Sequence, residues 1–511
     1  MAYKIFGAVC IGSMETELCV YEIREGKKLK LLERASKLLP LGRDTLLNGR
    51  LSYNSVQQLC DILKDFGGIL KSYSADDYRA YATMALRDAS NSRIVLDQIK
   101  VRTGMNVEII SNSEQRYISY KALAAHGKLF TGVIHTGTLI MDSGYGSLQL
   151  SVFDRDVLVS TENLPIGAVK LGTIFEKASL TDEQLYQRSR EIIDTELLNY
   201  RKLYLKGQDI HTLVGTGENI LYRYWNRLRP ELINRELSAE QVLNACHELR
   251  MQGIHTLEEN TGIGRSYAKI LFVTAVYIER IIEITGIDSL YFPGSRLCDG
   301  IALHYGSEKK LIEVEHDFEQ DIISESRNMA KRYRCSTKHA ERVEAYSLQI
   351  FDALRKMSGL TSRDRLLLQI AAILSNCGKF ISIKNADSCS YYIIMSTEII
   401  GLSHAERKQI AACVKFRNQL FDEEEAALDA DPIRTAKMTA ILKLASALDR
   451  SHSSKMNKTE IKVNEHDKEL RISASYDGDL TVERISIEES SEFFEEIFGL
   501  RPVLKQNRKL V

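Results

Sequence analysis

The sequence predicts a mixed α/β protein in which one α/β unit occurs twice, followed by a helical region and a small α+β module. Three observations predict it. The first 125 residues read as three strands, then helix, strand, helix, strand and helix, from period-2 and period-3.6 apolar patterns. Much of that order returns between Thr138 and Phe292. Beyond Gly306 the strand signals stop until Ser453, and the pattern becomes amphipathic helix.

In the first unit, Tyr3–Cys10 and Glu17–Ile23 are apolar strand runs separated by a Gly-Ser turn, and Leu29–Leu38 is a third strand. Ser52–Ser72 carries Val56, Leu59, Ile62, Leu63 and Phe66 on one helical face. A strand at Tyr78–Ala82, a helix from Met84 to Thr103, a strand at Val107–Ile110 and a helix from Glu114 to Ala125 complete it. In the second unit, Thr138–Asp142, Ser147–Phe153 and Val157–Thr161 are strands, as are Thr212–Gly215 and Ser289–Phe292, with a long helix at Tyr267–Thr285. The turns correspond too: VCIGSMETEL and MDSGYGSLQL each set small residues between two strands. Such a duplication predicts a cleft between paired domains, with the two turns facing each other across it. In the last module Glu460–Val463, Leu470–Ala474 and Leu480–Ile485 read as strands, Ser490–Phe498 as a helix and Leu500–Val511 as a tail. The boundaries drawn this way are 1–125, 126–306, 307–455 and 456–511.

Composition narrows the class. At about 100–200 residues per domain, 511 residues exceed one core. With 44% hydrophobic and 27% charged residues the chain is of the ordinary globular type. Lys+Arg total 68 against 69 Asp+Glu, which excludes nucleic-acid binding driven by bulk charge, so no DNA partner is expected. No charged leader precedes an apolar run, and no stretch of about eighteen apolar residues occurs. No membrane association is expected, and the expected location is cytoplasmic. The nine cysteines are scattered without a CxxC pair and read as reduced thiols, neither a disulfide frame nor a zinc site.

Five segments in order, CIGSMETEL, ATMALRDASNS (82–92), EIISNSEQRYISY (108–120), MDSGYGSLQL (141–150) and PIGAVKL (165–171), resemble the exopolyphosphatase/guanosine pentaphosphate phosphatase (Ppx/GppA) family. The resemblance covers essentially the whole chain. It implies two actin-like ATPase (ribonuclease H-like) domains, an all-α HD-like domain and a small α+β C-terminal domain. It implies hydrolysis of a terminal phosphoanhydride in polyphosphate or a guanosine alarmone, with Mg²⁺, and a homodimer. Such chemistry needs backbone N–H groups around phosphate, carboxylates around a metal and a further carboxylate to take a proton from water.

Position by position, the resemblance is kept in some places and broken in others. In the first loop Gly12 and Ser13 match, but Cys10 replaces an aspartate and Met14-Glu15 replaces Asn-Ser. Thr83, Arg87 and Asn91 match, and Arg87 is the expected cationic contact to phosphate; its competing role is an ion pair with Asp88 or Asp97. In the third motif, Ser-Gly-x-Glu-Glu-Ala in the family, Gln115 stands at the catalytic-base position and Arg116 follows it. An amide orients water but does not accept its proton. Glu114 is the neighbouring acid, about 100° away around a helix. In the fourth motif Asp142, Gly144, Gly146 and Ser147 remain; Tyr145 replaces a glycine and Gln149 a glutamate. Asp142 is thus the expected metal ligand, in a site weakened for Mg²⁺. Gly215 and Gly217 match a later phosphate turn, and Cys298-Asp299 stands where the family has Arg-Glu.

In the helical domain His339 and Asp449 occupy outer HD-ligand positions, but the central pair is Ser375-Asn376, and Cys389 and Arg417 stand where His is frequent. No metal is expected there, and His339 is expected to be structural. Basic clusters at Arg327–Arg334 and Lys415-Phe416-Arg417 are either solvated faces or a local path for a polyanion. The functional expectation is a phosphate-binding member with a degraded active site; the alternatives are an active Mg²⁺-dependent hydrolase and an interaction protein.

Overall fold

The computed structural model describes residues 3–506 apart from 27, 126–127, 145, 176–179, 217–219, 234, 262–263, 428–430 and 477. It divides into two compact units, Met1–Phe318 and Glu319–Val511.

In the first unit, β1 (Tyr3–Ile11), β2 (Glu15–Arg24), β3 (Lys30–Leu38), β4 (Asp77–Ala82) and β5 (Glu108–Ile109) form a sheet in the order β3-β2-β1-β4-β5. β1, β2 and β3 pair antiparallel through short turns, whereas β4 and β5 join in parallel after helical crossovers. A second sheet holds β6 (Thr138–Ser143), β7 (Leu148–Asp154), β8 (Val157–Leu164), β9 (Thr212–Thr216), β10 (Glu236–Ser238) and β11 (Ser289–Tyr291), in the order β10-β11-β9-β6-β7-β8. Strand for strand, β8-β7-β6-β9-β11 repeats β3-β2-β1-β4-β5, and β10 is an added antiparallel edge.

Alternation along the strands builds the layers. Phe6 and Ala8 of β1 face one side with Cys19 and Tyr21 of β2, under Cys298, Ile301, Ala302 and Tyr305 of helix Leu297–Glu308. Val9 and Ile11 face the other side, against Leu59, Leu63 and Phe66 of helix Tyr53–Ser72. Helix Leu297–Glu308 thus follows the second sheet in sequence but packs on the first. It also crosses helix Asn112–Ala124 closely: a Cβ at Gly300 would lie 2.0 Å from the Ile118 carbonyl oxygen, so only glycine fits. The second core gathers around helix Arg265–Thr285, with Leu150, Leu213 and Trp225 buried against it.

The second unit packs helices Thr337–Ser358, Ser362–Leu374, His404–Lys415 and Pro432–Ala447 beside a sheet of β12 (Met456–Asn464), β13 (Glu469–Tyr476) and β14 (Arg501–Gln506). Two sequence readings change here and in the first unit. Leu480–Ile485 is not a strand, because helix Thr481–Phe498 begins there; Glu483, Ile487, Ser490, Ser491, Phe494 and Phe498 are buried at helical spacing. The third strand is β14, in the segment read as a tail. Met84–Thr103 is two helices, Met84–Arg87 and Ser92–Thr103, separated by residues 88–91. Among the described residues no helix is long and apolar enough to cross a membrane.

Candidate functional site

The two hairpin turns at the ends of β1–β2 and β6–β7 have one design. Gly12 N–H donates to the Glu15 carbonyl at 2.9 Å, and Gly144 N–H donates to the Ser147 carbonyl at 3.0 Å. In register, Cys10 lies opposite Glu17 and Asp142 lies opposite Gln149. Gly12 and Gly144, expected to offer their N–H groups to phosphate, spend them closing their own turns. Ser13 is buried and its carbonyl accepts from Gly42 N–H at 2.8 Å. Met14 and Met84 of the first half pack on the core of the second. A Cβ at Gly146 would come within 2.6 Å of Met84 Cε, so an apolar methyl lies against that turn's backbone. Ser147 is half-buried in the same turn.

Helix Asn112–Ala124 supplies the side chains between the sheets. Ser111 caps it: Ser111 Oγ accepts from Glu114 N–H at 3.2 Å, and Glu114 Oε2 accepts from Ser111 N–H at 2.8 Å. Glu114, considered as a substitute base, is therefore committed to the cap. Gln115 is half-buried at the base position. Arg116 is fully buried. Its Nε donates to Gln149 Oε1 at 3.0 Å and its Nη1 to the Thr161 hydroxyl, which also contacts Ser151. One turn on, Ser119 Oγ donates to Asp142 Oδ2 at 3.5 Å. Asp142 is 2% exposed. Burial raises its carboxyl to about 6, against the opposing pull of Arg116 and Ser119.

On the other sheet the counterpart acid, Glu17, accepts from Arg34 Nε at 2.5 Å and faces Arg296 Nε at 3.8 Å. Glu17, Cys19 and Cys298 place potential metal-ligating atoms within 4.8 Å of one another. The carboxylate is already held by arginine, and the hydrogen bond with Cys19, then burial, push the Cys298 thiol well up. This set therefore suits a metal poorly, since a ligating thiol must be a thiolate. Asp299 caps helix Leu297–Glu308 through Arg296 N–H at 2.9 Å and accepts from the Tyr21 hydroxyl at 2.6 Å.

Two further phosphate candidates prove to be braces. Arg87 Nη1 donates to the Ile110 carbonyl at 2.9 Å and Nη2 to Asn112 Oδ1 at 2.5 Å, with Asp88 at 3.5 Å from Nε. Asn91 Nδ2 donates to the Leu51 carbonyl and its Oδ1 accepts from Leu51 N–H, both at 3.0 Å, so the amide ties down the Leu51 backbone. Gly215 is buried in β9 opposite Met141, and Gly217 lies outside the described residues. Arg116, Glu17, Ser119 and Thr161 were missed as site residues. The signal for Arg116 was present, an arginine where the motif ends in alanine.

In the helical unit His339 Nδ1 and Asp449 Oδ2 are 2.8 Å apart and both residues are buried. His452 stacks on His339 at 3.6 Å between ring centroids. Arg417 is buried, with Nη2 donating to Asp387 at 2.9 Å and lying 3.4 Å from Asn376 Oδ1. In the basic clusters, Arg327 pairs with Glu344 and Lys415 with Glu425.

Two sheets of matching strand order, each with a hairpin turn joining corresponding strands, define the actin-like ATPase fold. Comparison with known proteins makes this specific. The model of the Ppx/GppA phosphatase family matches residues 19–301, and that of the family's domain III matches residues 324–487. The chain belongs to the Ppx/GppA phosphatase family. A curated relative, the guanosine-5′-triphosphate,3′-diphosphate pyrophosphatase of Aeromonas hydrophila, is 23% identical over 452 residues, 86% of each chain. Among solved structures, an exopolyphosphatase from Cytophaga hutchinsonii is 18% identical at a TM-score of 0.53, over 61% of this chain and 99% of that one. The Ppx/GppA family member of Aquifex aeolicus is 21% identical at a TM-score of 0.51, over 60% and 99%. At such identities the structures speak for the fold.

Proposed function

We propose that this chain is a non-hydrolysing member of its family that holds a phosphorylated ligand, polyphosphate or a guanosine polyphosphate, between its two actin-like domains. The ligand class follows from the names of the relatives. The observation that carries the loss of hydrolysis is Arg116. A guanidinium with no solvent exposure sits on Gln149 and Thr161 and in the field of Asp142. Magnesium does not fit such a site. It demands hard oxygen ligands carrying negative charge, whereas here the Asp142 carboxylate is answered by a resident cation and its register partner is the Gln149 amide. The third motif offers no free proton acceptor either, since Gln115 is an amide and Glu114 closes the helix cap. A positioned base is worth about 10²–10⁴ in rate.

The test is phosphate release from polyphosphate and from guanosine pentaphosphate, with Mg²⁺, by the unmodified protein beside Gln115→Glu and Cys10→Asp. We expect no release from the unmodified chain over hours, and ligand binding by calorimetry that is indifferent to Mg²⁺. Turnover at ordinary enzyme rates, about 1–10³ per second, defeats the proposal; so does the lack of binding to either ligand.

A further inference from the structure

The second unit carries an apolar tip that its own hydrogen bonds hold out into solvent. After Asn376 the chain turns through Cys377–Phe380 and runs Ile381-Ser382-Ile383-Lys384 before helix Ala386–Ser396 begins. Phe380, Ile381 and Ile383 are 54%, 63% and 86% exposed. Slackness does not expose them, because the segment is braced. The Gly378 carbonyl accepts from the N–H groups of Ile381 and Ser382, both at 3.0 Å. Gly378 N–H donates to Ser390 Oγ at 2.8 Å, and Asn385 N–H donates to Ser382 Oγ at 3.2 Å. A Cβ at Gly378 would collide with the Ala386 carbonyl, so the turn is seated tightly on that helix. Cations surround the tip. Lys379 and Lys384 bracket it in sequence. Phe380 meets the Tyr333 ring edge-on at 5.8 Å between centroids, which joins residues 331–334 to the same surface. Lys331, Arg334, Lys379 and Lys384 are exposed, and among the described residues none has a carboxylate partner. Neither 331–334 nor 379–384 contains an acid. The acid that follows Lys384 in sequence, Asp387, is held by Arg417 at 2.9 Å and by Asn418 at 3.0 Å.

Three bulky apolar side chains on a braced tip, with unanswered cations around them, call for a partner that is apolar inside and anionic at its face. We infer that this tip docks the protein on an anionic lipid bilayer. Phe380, Ile381 and Ile383 enter between the headgroups, and the four cations lie against the lipid phosphates. A second copy of the chain fits poorly. A two-fold interface sets a patch against itself, so these cations would meet their own kind with no acid in either segment to answer them. A lipid leaflet supplies the missing negative charge, at about fivefold in affinity for each Lys or Arg near its surface. It also takes apolar side chains without a matching pocket. Free phosphate would answer the cations but offers nothing to Phe380, Ile381 and Ile383. The sequence-based expectation of no membrane association concerned leader and spanning segments, and docking of this kind needs neither. The tip lies wholly within the second unit and stands apart from the reading of the cleft.

The experiment is co-sedimentation of the full chain with vesicles of phosphatidylcholine alone and of phosphatidylcholine mixed with phosphatidylglycerol, at low and at high salt. Analytical ultracentrifugation without lipid runs beside it. Binding is expected to the mixed vesicles and not to phosphatidylcholine alone, and it is expected to fall as salt is raised. Lys379→Gln/Lys384→Gln is expected to weaken it about 25-fold, from about fivefold for each charge. Ile381→Ser/Ile383→Ser keeps every charge and is expected to weaken it at least about tenfold. All four side chains are exposed, so thermal melts of both variants are expected to match the parent. The lack of binding to mixed vesicles at low salt overturns the inference. Vesicle binding that the isoleucine variant leaves unchanged also overturns it, and reduces the patch to a general attractor of polyanions. A dimer that the isoleucine variant dissociates, while vesicle binding persists, overturns it in favour of a second copy.

Discussion

The two hairpin turns of the cleft carry opposite halves of one charge pair. In the first, the thiol of Cys10 faces the carboxylate of Glu17; in the second, the carboxylate of Asp142 faces the amide of Gln149. Each of these two register pairs therefore keeps one acid, and each of those acids is answered by arginine. The answers differ in where they lie. Arg34 and Arg296 leave 37% and 35% of their side chains exposed beside Glu17, whereas Arg116 and Asp142 are both sealed. Water screens the first arrangement and not the second. The difference teaches that the same pairing acts as a surface contact in one half and as a structural keystone in the other.

The strongest way to break this comparison is Arg116→Met. Removing the guanidinium leaves Asp142 buried without its cation and Gln149 without a donor. The expected loss is about 3–5 kcal/mol in a denaturant melt. Arg116→Met combined with Asp142→Asn is expected to recover most of it, because the pair then vanishes together. A loss below about 1 kcal/mol from the single change means that the second turn is no more sealed than the first.

A pH series sharpens it further. Asp142 has a raised carboxyl, at about 6 in the fold, against about 3.9 in an unfolded chain. A raised folded value means that the folded state favours the protonated acid. Its stabilising contribution is therefore full below about pH 4 and is lost as the pH rises through about 6, by about 3 kcal/mol in all. Relative to Asp142→Asn, the wild type is expected to lose that much stability between about pH 4 and pH 7 and to level off above. A difference that stays flat, or grows with pH, contradicts a buried carboxyl of this kind.

The strands and the turn correspondence were legible because period-2 patterns and paired small residues are local signals. The matching of Cys10 with Asp142 came from the motifs alone. Arg116 was not legible as a site residue, since comparing motifs looks for acids that are gone and not for a base that has entered. Arg87 and Asn91 keep the family's identities, yet their partners are Ile110, Asn112 and Leu51, which no local pattern reveals. The start of helix Thr481–Phe498 was misread because Val482, Ile485 and Ile487 are β-branched. Which face is buried, not intrinsic preference, decides such a segment.

Glu17→Gln is the smallest expected effect and the one that tests the other half of the contrast. Glu17 accepts from Arg34 and faces Arg296 at an edge that water reaches. An amide still accepts a hydrogen bond from Arg34, so only the Coulomb part is lost, about 0.2–1 kcal/mol. That loss should shrink when salt is raised from about 0.05 M to about 0.5 M, because the screening length shortens from about 14 Å to about 4 Å. The buried pair at Asp142 should show no such salt dependence. If Glu17→Gln instead costs as much as Arg116→Met and ignores salt, the two turns are sealed alike. The exposure of the arginines beside Glu17 would then have no energetic consequence.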